Sequence, residues 1–325
     1  MQQIIINANE AGQRLDKLLA KYLSEAPKSF LYKMLRKKNI TLNGKKASGN
    51  EKLNTGDEVK LFLSDETIGK FSGSPVKAPV KAPAVKLDII YEDDNILLIN
   101  KPAGMLSQKA VDSDVSVVEH LIAYLLSSGQ LDEAQLRTFK PSVCNRLDRN
   151  TSGMIAAGKS LAGLQELSRL FKDRTLRKYY LCLVRGQVEE SSCIRGYLKK
   201  DAKTNQVQIL RHEEKDSALI ETEYRPLKTG GGVTLLEVHL ITGKTHQIRA
   251  HLASVGHPII GDYKYGDRKL NDRYRDAYGL KHQLLHAYRL VFPSLEGALF
   301  DLSGREFTAA LPTQFKTIAR DKGVL

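Results

Sequence analysis

The chain has 325 residues, of which 42% are hydrophobic and 27% charged, and it carries a net charge of +13 with a sequence pI near 9.5. That composition can bury one or two cores and excludes a disordered chain, and the lack of any apolar run of eighteen or more residues argues against a transmembrane helix. The excess of positive charge points to a polyanionic partner, nucleic acid before membrane surface. The amino terminus, MQQIIINANE, has no basic flank followed by an apolar core, so no signal peptide is expected and a cytoplasmic location follows. Cys144, Cys182 and Cys193 are odd in number and none has C-x-x-C spacing, which argues against a disulfide framework or a structural zinc site.

Residues 1 to 64 form a first block. Gln13 to Leu23 sets Leu15, Leu18, Leu19, Tyr22 and Leu23 on one helical face. Pro27 can open a second helix whose apolar face carries Phe30, Leu31, Met34 and Leu35, with Lys28, Lys33, Arg36 and Lys37 largely off that face. Ile40-Thr41-Leu42 then meets the turn pair Asn43-Gly44, a hairpin signal, and Val59, Leu61 and Leu63 alternate like a strand after the turn at Gly56-Asp57. Twelve Lys and Arg against six Asp and Glu give this block a net charge of +6. A small basic helix–helix–hairpin unit suits RNA phosphates, with Lys28, Arg36 and Lys37 as candidate contacts; a merely solvated helix face is the bland alternative.

Residues 65 to 86 repeat V-K-A-P and are rich in Pro, Ala and Lys, the composition of a linker. Residues 87 to 325 alternate strand-like and helix-like segments. Strands are expected over Leu87–Tyr91, Ile96–Ile99, Tyr179–Val184 and Val233–Ile241, and a helix over Leu161–Phe171. Strands often follow one another directly, which predicts an α+β domain with a mixed, mainly antiparallel sheet rather than a doubly wound one.

Several chemistries lack their motifs. Thr242-Gly243-Lys244-Thr245 mimics the end of a P-loop, but Val238 stands where the motif needs glycine. His239, His246, His251 and His257 do not have metal-ligand spacing, and no G-x-S-x-G elbow occurs. No metal and no cofactor are therefore expected. Three polar clusters remain: Asn145 to Gly153, in which Asp148 lies between Arg146 and Arg149; Lys178 to Gly186, in which alternation puts Tyr180, Cys182 and Val184 on one face; and Gly243 to His251. An acid between arginines has its charged form favoured. From composition alone, a loop with ordinary ion pairs and a cap residue is the better explanation of the first cluster, core packing is the usual one for the tyrosine strand, and a solvated helix start is the bland one for the third.

Taken in order, the clusters resemble the RluA family of RNA pseudouridine synthases. Arg146-Leu147-Asp148 with Thr151-Ser152-Gly153 matches the family's H-R-L-D-x-x-T-S-G, and Lys178-Tyr179-Tyr180 through Gly186 matches its K-x-Y strand. Residues 243 to 251 match G-[RK]-x-H-Q-[LI]-R-x-H, and Gly256-His257-Pro258-Ile259-Ile260-Gly261-Asp262 matches the segment that follows. The first block, with Gln13-Arg14-Leu15-Asp16 and Pro27-Lys28-Ser29 through Arg36-Lys37, resembles the RNA-binding module of a small-subunit ribosomal protein and, most closely, the RluC branch, which modifies large-subunit ribosomal RNA. One position departs from the pattern: Asn145 stands where the family often has His, and Asn cannot carry a proton near neutral pH.

The resemblance implies roles. Asp148 is the essential carboxylate, nucleophile at the ribose or base upon it. Tyr180 stacks on the uracil or helps take the proton from carbon five. Arg249 pairs with Asp148, Ile248 packs beside the base, and Arg146 assists flipping. The partner is a structured RNA, ribosomal RNA first, transfer RNA as the main alternative and pre-ribosomal particles as a further one, acted on by a monomer. Outside the family, a catalytically silent RNA-binding assembly factor is the strongest rival; an RNA deaminase would need a zinc triad that the sequence lacks.

Overall fold

A computed structural model describes residues 1–7, 9–72, 86–201, 204 and 206–325. The amino-terminal part contains β1 (Gln2–Ile5), α1 (Leu15–Tyr22), α2 (Lys28–Arg36), β2 (Ile40–Leu42), β3 (Lys45–Lys46), β4 (Glu58–Leu61) and α3 (Asp65–Phe71). Its sheet has the order β1-β4-β2-β3. Asn43 and Gly44 both have positive φ, 50° and 72°, the backbone that lets a two-residue turn match the twist of β2 and β3. Leu15, Leu18 and Leu19 of α1, Leu31 and Leu35 of α2, and Val59 and Leu61 of β4 close one core.

Helix α3 corrects the expected boundary. Residues 65–71 were expected to begin a linker, yet Ser64 caps a helix there by accepting the Thr67 N–H, and Ile68 is buried in the first core with Phe71 packed beside it. An apolar pair three residues apart behind a cap is a helix signal, and the Pro- and Lys-rich composition begins only after it. The V-K-A-P repeat itself, residues 73–85, lies outside the described residues.

The second part runs β5 (Ile89–Glu92), β6 (Ile96–Lys101), α4 (Val117–Ser127), β7 (Ser142–Val143), β8 (Ser152–Gly158), α5 (Leu161–Lys172), β9 (Arg177–Arg185), β10 (Ser192–Lys200), β11 (Val207–Leu210), β12 (Ser217–Gly230), β13 (Val233–Leu240), α6 (Gln247–Ser254), α7 (Arg268–Tyr278), β14 (Leu285–Val291), β15 (Glu306–Thr308) and α8 (Thr313–Asp321). The main path of its sheet is β11-β10-β12-β13-β9-β14-β8-β6-β5, with β15 beside β14 and β7 beside β8. Among the described residues every pairing is antiparallel except β14 with β8. The fold is thus the α+β, mainly antiparallel one that the sequence predicts.

The sheet is covered on both faces. Ile155 and Ala157 of β8 pack into one core while Met154 and Ala156 pack into another, as period-two alternation requires. Gly153 fits the β8–β14 approach because it has no side chain: a Cβ there would stand 2.3 Å from the Ala287 carbonyl oxygen. The two parts touch at the 3₁₀ turn Gln135–Arg137, where Arg137 lies 4.3 Å over the Tyr22 ring and the neighbouring Thr138 hydroxyl meets Glu10 at 2.6 Å. Among the described residues no helix is long and apolar enough to cross a membrane.

Candidate active site

The site gathers at the β7–β8 loop, the amino-terminal end of α6 and the loop after Pro258. Asp148 sits in the turn that leads into β8, half-buried, with its carbonyl accepting the Thr151 N–H at 3.0 Å. The turn is braced on both sides. Ser107 exchanges hydrogen bonds with the Leu147 backbone, and Gln283 donates to the Thr151 hydroxyl at 3.1 Å. Lys101, fully buried at the end of β6, donates to the carbonyls of Pro102, Met105 and Arg149 at 2.9, 2.9 and 3.1 Å. Burial pushes its ammonium down to about 7, with the Asp148 carboxylate opposing; the three carbonyls favour the protonated form.

Arg249 projects from α6 and spans two carboxylates. Nη1 donates to Asp148 Oδ2 at 2.8 Å, while Nε and Nη2 take both oxygens of Asp262 at 2.7 and 2.9 Å. Asp262 is 1% exposed and also accepts the backbone N–H groups of Lys264 and Tyr265. The guanidinium stays charged throughout, because the two carboxylates outweigh a burial that alone would lower it. Gln247 anchors the start of the helix: buried, it accepts from Thr242 and Lys244 and donates to Glu221 and Thr222.

Tyr180 and Ile248 supply the apolar side. Both are buried in the core that also holds Leu147 and Ala287. Burial drives the Tyr180 phenol well above its ordinary value, and the Asp148 charge adds to the shift. Tyr179, one residue earlier, points the other way, stacked 4.8 Å from the His239 ring with Arg289 4.1 Å over it. Strand alternation therefore separates the two tyrosines and leaves Tyr180 on the side of Asp148.

The structure brings Asp148, Tyr180, Ile248 and Arg249 together. Arg146 is exposed two residues from Asp148 on the same turn. Lys28, Arg36 and Lys37 are exposed on α2 and at its carboxyl end, in the other part of the chain. Asn145 serves the backbone: it accepts the Ala156 N–H at 2.8 Å and donates to the Met154 carbonyl at 3.2 Å, stitching the strand after Asp148. Sequence reasoning gave no role to Lys101, Asp262, His246 or Tyr265. Asp262 lay within a quoted motif; Lys101 precedes a proline in a segment that reads as an ordinary strand end.

A sequence profile described as RNA pseudouridylate synthase matches residues 95–254, which contain Asp148, Tyr180, Ile248 and Arg249. A second, described as the RluD ribosomal pseudouridine synthase N-terminal domain, matches residues 2–59. The ribosomal large subunit pseudouridine synthase C of Vibrio vulnificus is 32% identical over 301 residues, covering 90% of this chain and 88% of that protein. This chain belongs to the RluA family of RNA pseudouridine synthases. The enzyme of the same name from Escherichia coli is 32% identical over 292 residues, with 89% of this chain and 88% of that one covered. Human RNA pseudouridylate synthase domain containing 4 has the same fold, with a TM-score of 0.57 at 23% identity over 71% of this chain and 91% of that one. As a member of the family, the pseudouridine synthase is an isomerase of uridine in RNA.

Proposed function

We propose that this pseudouridine synthase acts, as a monomer, on uridines of large-subunit ribosomal RNA, with Asp148 as the essential carboxylate. The observation that carries the reading is the 2.8 Å bond from Arg249 to Asp148 beside the buried wall of Tyr180 and Ile248. The N1–C1′ glycosidic bond breaks, uracil turns, carbon five bonds to C1′ and loses its proton, and N1 gains one from water, so atoms and electrons balance without an outside reagent. Arg249 orients Asp148 through a charge-assisted hydrogen bond on Oδ2. Ile248 and Tyr180 wall off water from the detached base, and Tyr180 stacks upon it. Its raised phenol stays protonated at neutral pH, which favours stacking over a role as the base at carbon five.

Removing the target base from its stack costs a few kcal/mol, about the worth of several phosphate contacts. Arg146, exposed beside Asp148, fills or holds the space left at flipping. The amino-terminal module, residues 1 to about 72, grips RNA through Lys28, Arg36 and Lys37. The names of the Vibrio and Escherichia relatives favour ribosomal over transfer RNA.

The test is pseudouridine mapping by carbodiimide labelling and primer extension on transcribed large-subunit ribosomal RNA. Discrete stops that vanish with Asp148→Asn, in a variant that still binds RNA, are expected. An active Asp148→Asn enzyme sinks the assignment of the carboxylate. Stops on transfer RNA or immature particles alone move the substrate and leave the chemistry.

A further inference from the structure

His246, the residue that precedes α6, has a left-handed backbone, φ 53° and ψ 16°. A side chain other than glycine adopts that conformation infrequently, and it persists where the surroundings over-determine it. Here it turns the ring back toward the reacting carboxylate. The Nε2 atom stands 3.9 Å from Asp148 Oδ2, with the side chain 11% exposed. On its other side Nδ1 meets the Tyr265 hydroxyl at 2.9 Å, and the Tyr265 ring lies edge-on to the imidazole.

Hydrogen-bond accounting favours one tautomer of this ring. The Tyr265 oxygen accepts the Val207 N–H at 3.0 Å. That leaves its O–H to donate to Nδ1 of His246, and an imidazole that accepts at Nδ1 carries its proton on Nε2 in the neutral state. The neutral state is favoured because burial pushes the imidazole below its ordinary value, with Asp148 opposing and the Arg249 and Lys264 charges adding to the shift. The Nε2–H therefore faces the same oxygen, Oδ2, that already receives Arg249.

We propose that His246 is a positioning residue: a neutral donor that closes on Oδ2 of Asp148 beside Arg249 when RNA fills the site, leaving Oδ1 to meet the ribose. The proposal rests on Asp148 as the essential carboxylate. Such hydrogen bonds are commonly long in an empty site and shorten in the reacting complex. Tyr265 acts one step further out, by choosing the tautomer.

Two measurements on the full-length protein test this. The first needs no activity. Long-range ¹⁵N–¹H spectra of histidine-labelled protein should show His246 neutral with the proton on Nε2, the signal being assigned by its loss in His246→Gln. Tyr265→Phe should move proton population to Nδ1. A wild-type ring protonated on Nδ1 overturns the proposal. The second is single-turnover kinetics on RNA. His246→Ala should lower the maximal rate about tenfold, the worth of one hydrogen bond, with unchanged half-saturating RNA concentration. His246→Gln, whose amide nitrogen reaches the Nε2 position, should recover part of the loss. Tyr265→Phe should also be slow, and combining it with His246→Ala should cost nothing further. An unchanged rate in His246→Ala, or losses that multiply in the double variant, overturns the proposal. An active Asp148→Asn enzyme would instead remove the role of Asp148 while leaving the tautomer result standing.

Discussion

Asp262→Asn isolates the part of the site that faces away from the RNA. The wild-type carboxylate takes two charge-assisted bonds from Arg249, at 2.7 and 2.9 Å, in a position 1% exposed. Asparagine can accept one of them; its amide N–H₂ confronts the other donor, and the buried guanidinium loses one of its two carboxylates. Breaking a buried pair in this way costs about 3 to 5 kcal/mol. For a domain near this size each kcal/mol moves the melting temperature by about 2 to 4 °C, so a fall of about 10 °C is expected. The guanidinium is then free to swing onto Asp148 with both arms. Maximal turnover should drop about 10²-fold or more, in the range of a misoriented catalytic group, while RNA affinity holds. Differential scanning fluorimetry, filter binding and single-turnover pseudouridine formation read the three quantities. A variant with wild-type melting and wild-type rate refutes the claim that Asp262 orients Arg249. A variant with reduced melting and wild-type rate confines Asp262 to the fold.

Tyr180→Phe should keep most of the turnover that Asp148→Asn loses, because the stacking face survives; equal loss in single-turnover assays would restore proton transfer to the phenol. Lys101→Met strands three carbonyls in the turn behind Asp148 and should cost about 3 kcal/mol of stability or more, read as a lower urea midpoint at unchanged m; an unchanged midpoint would show that the turn holds without it. His251 and His286 are both depressed to about 4 by burial. The unfolded chain takes up their protons near pH 6.5 and the folded chain only near 4, so each should withdraw about 3 kcal/mol of stability as pH falls through that window. His286→Gln should flatten the acid side of the stability curve by one proton, and an unaltered slope would contradict a neutral buried His286. Replacing Lys28, Arg36 and Lys37 together by Ala should cut the slope of log affinity against log salt by about 2 to 3 at unchanged saturated turnover; an unchanged slope would move the RNA grip elsewhere.

How much of this was legible in the sequence differs element by element. Helices α1 and α2 and the Asn43-Gly44 turn were readable because their apolar spacing and turn chemistry are local. Tyr180 could be preferred to Tyr179 only through the K-x-Y spacing of the resembled family, since strand period puts the two on opposite faces without saying which face holds Asp148. The loop holding Asp148 was readable only through the resemblance, since a carboxylate between arginines is equally an ordinary ion pair. Helix α3 was missed because the lysine- and proline-rich composition after it masked a short capped segment. The partnership of Arg249 with Asp262 joins residues 13 apart through an intervening turn, and its meeting with Asp148 joins residues 101 apart. No local pattern encodes either contact. His246 was read as one of a histidine set lacking ligand spacing and as part of the third motif, with no role of its own, because a left-handed backbone at a histidine leaves no compositional mark.

In the proposed reaction, the double pairing of Arg249 bears on how Asp148 stays free to react. A carboxylate locked side-on by an arginine fork is a poor nucleophile and a poor base, since its charge is matched at both oxygens. Here the fork belongs to Asp262, and Asp148 receives a single end-on bond on Oδ2. The trio of Asp148, Arg249 and Asp262 carries a net negative charge. Arg249 therefore orients Asp148 next to an apolar wall, yet leaves negative charge on the side that would face the uridine in the proposed complex. Lys101, the nearest buried cation behind the turn, is turned to three carbonyls and adds its field to the backbone instead of neutralising the carboxylate by contact. The same division matches the burial gradient: Asp262 is sealed beside the guanidinium it holds, and Asp148 is half-buried, open on the side where the proposed reaction needs its partner.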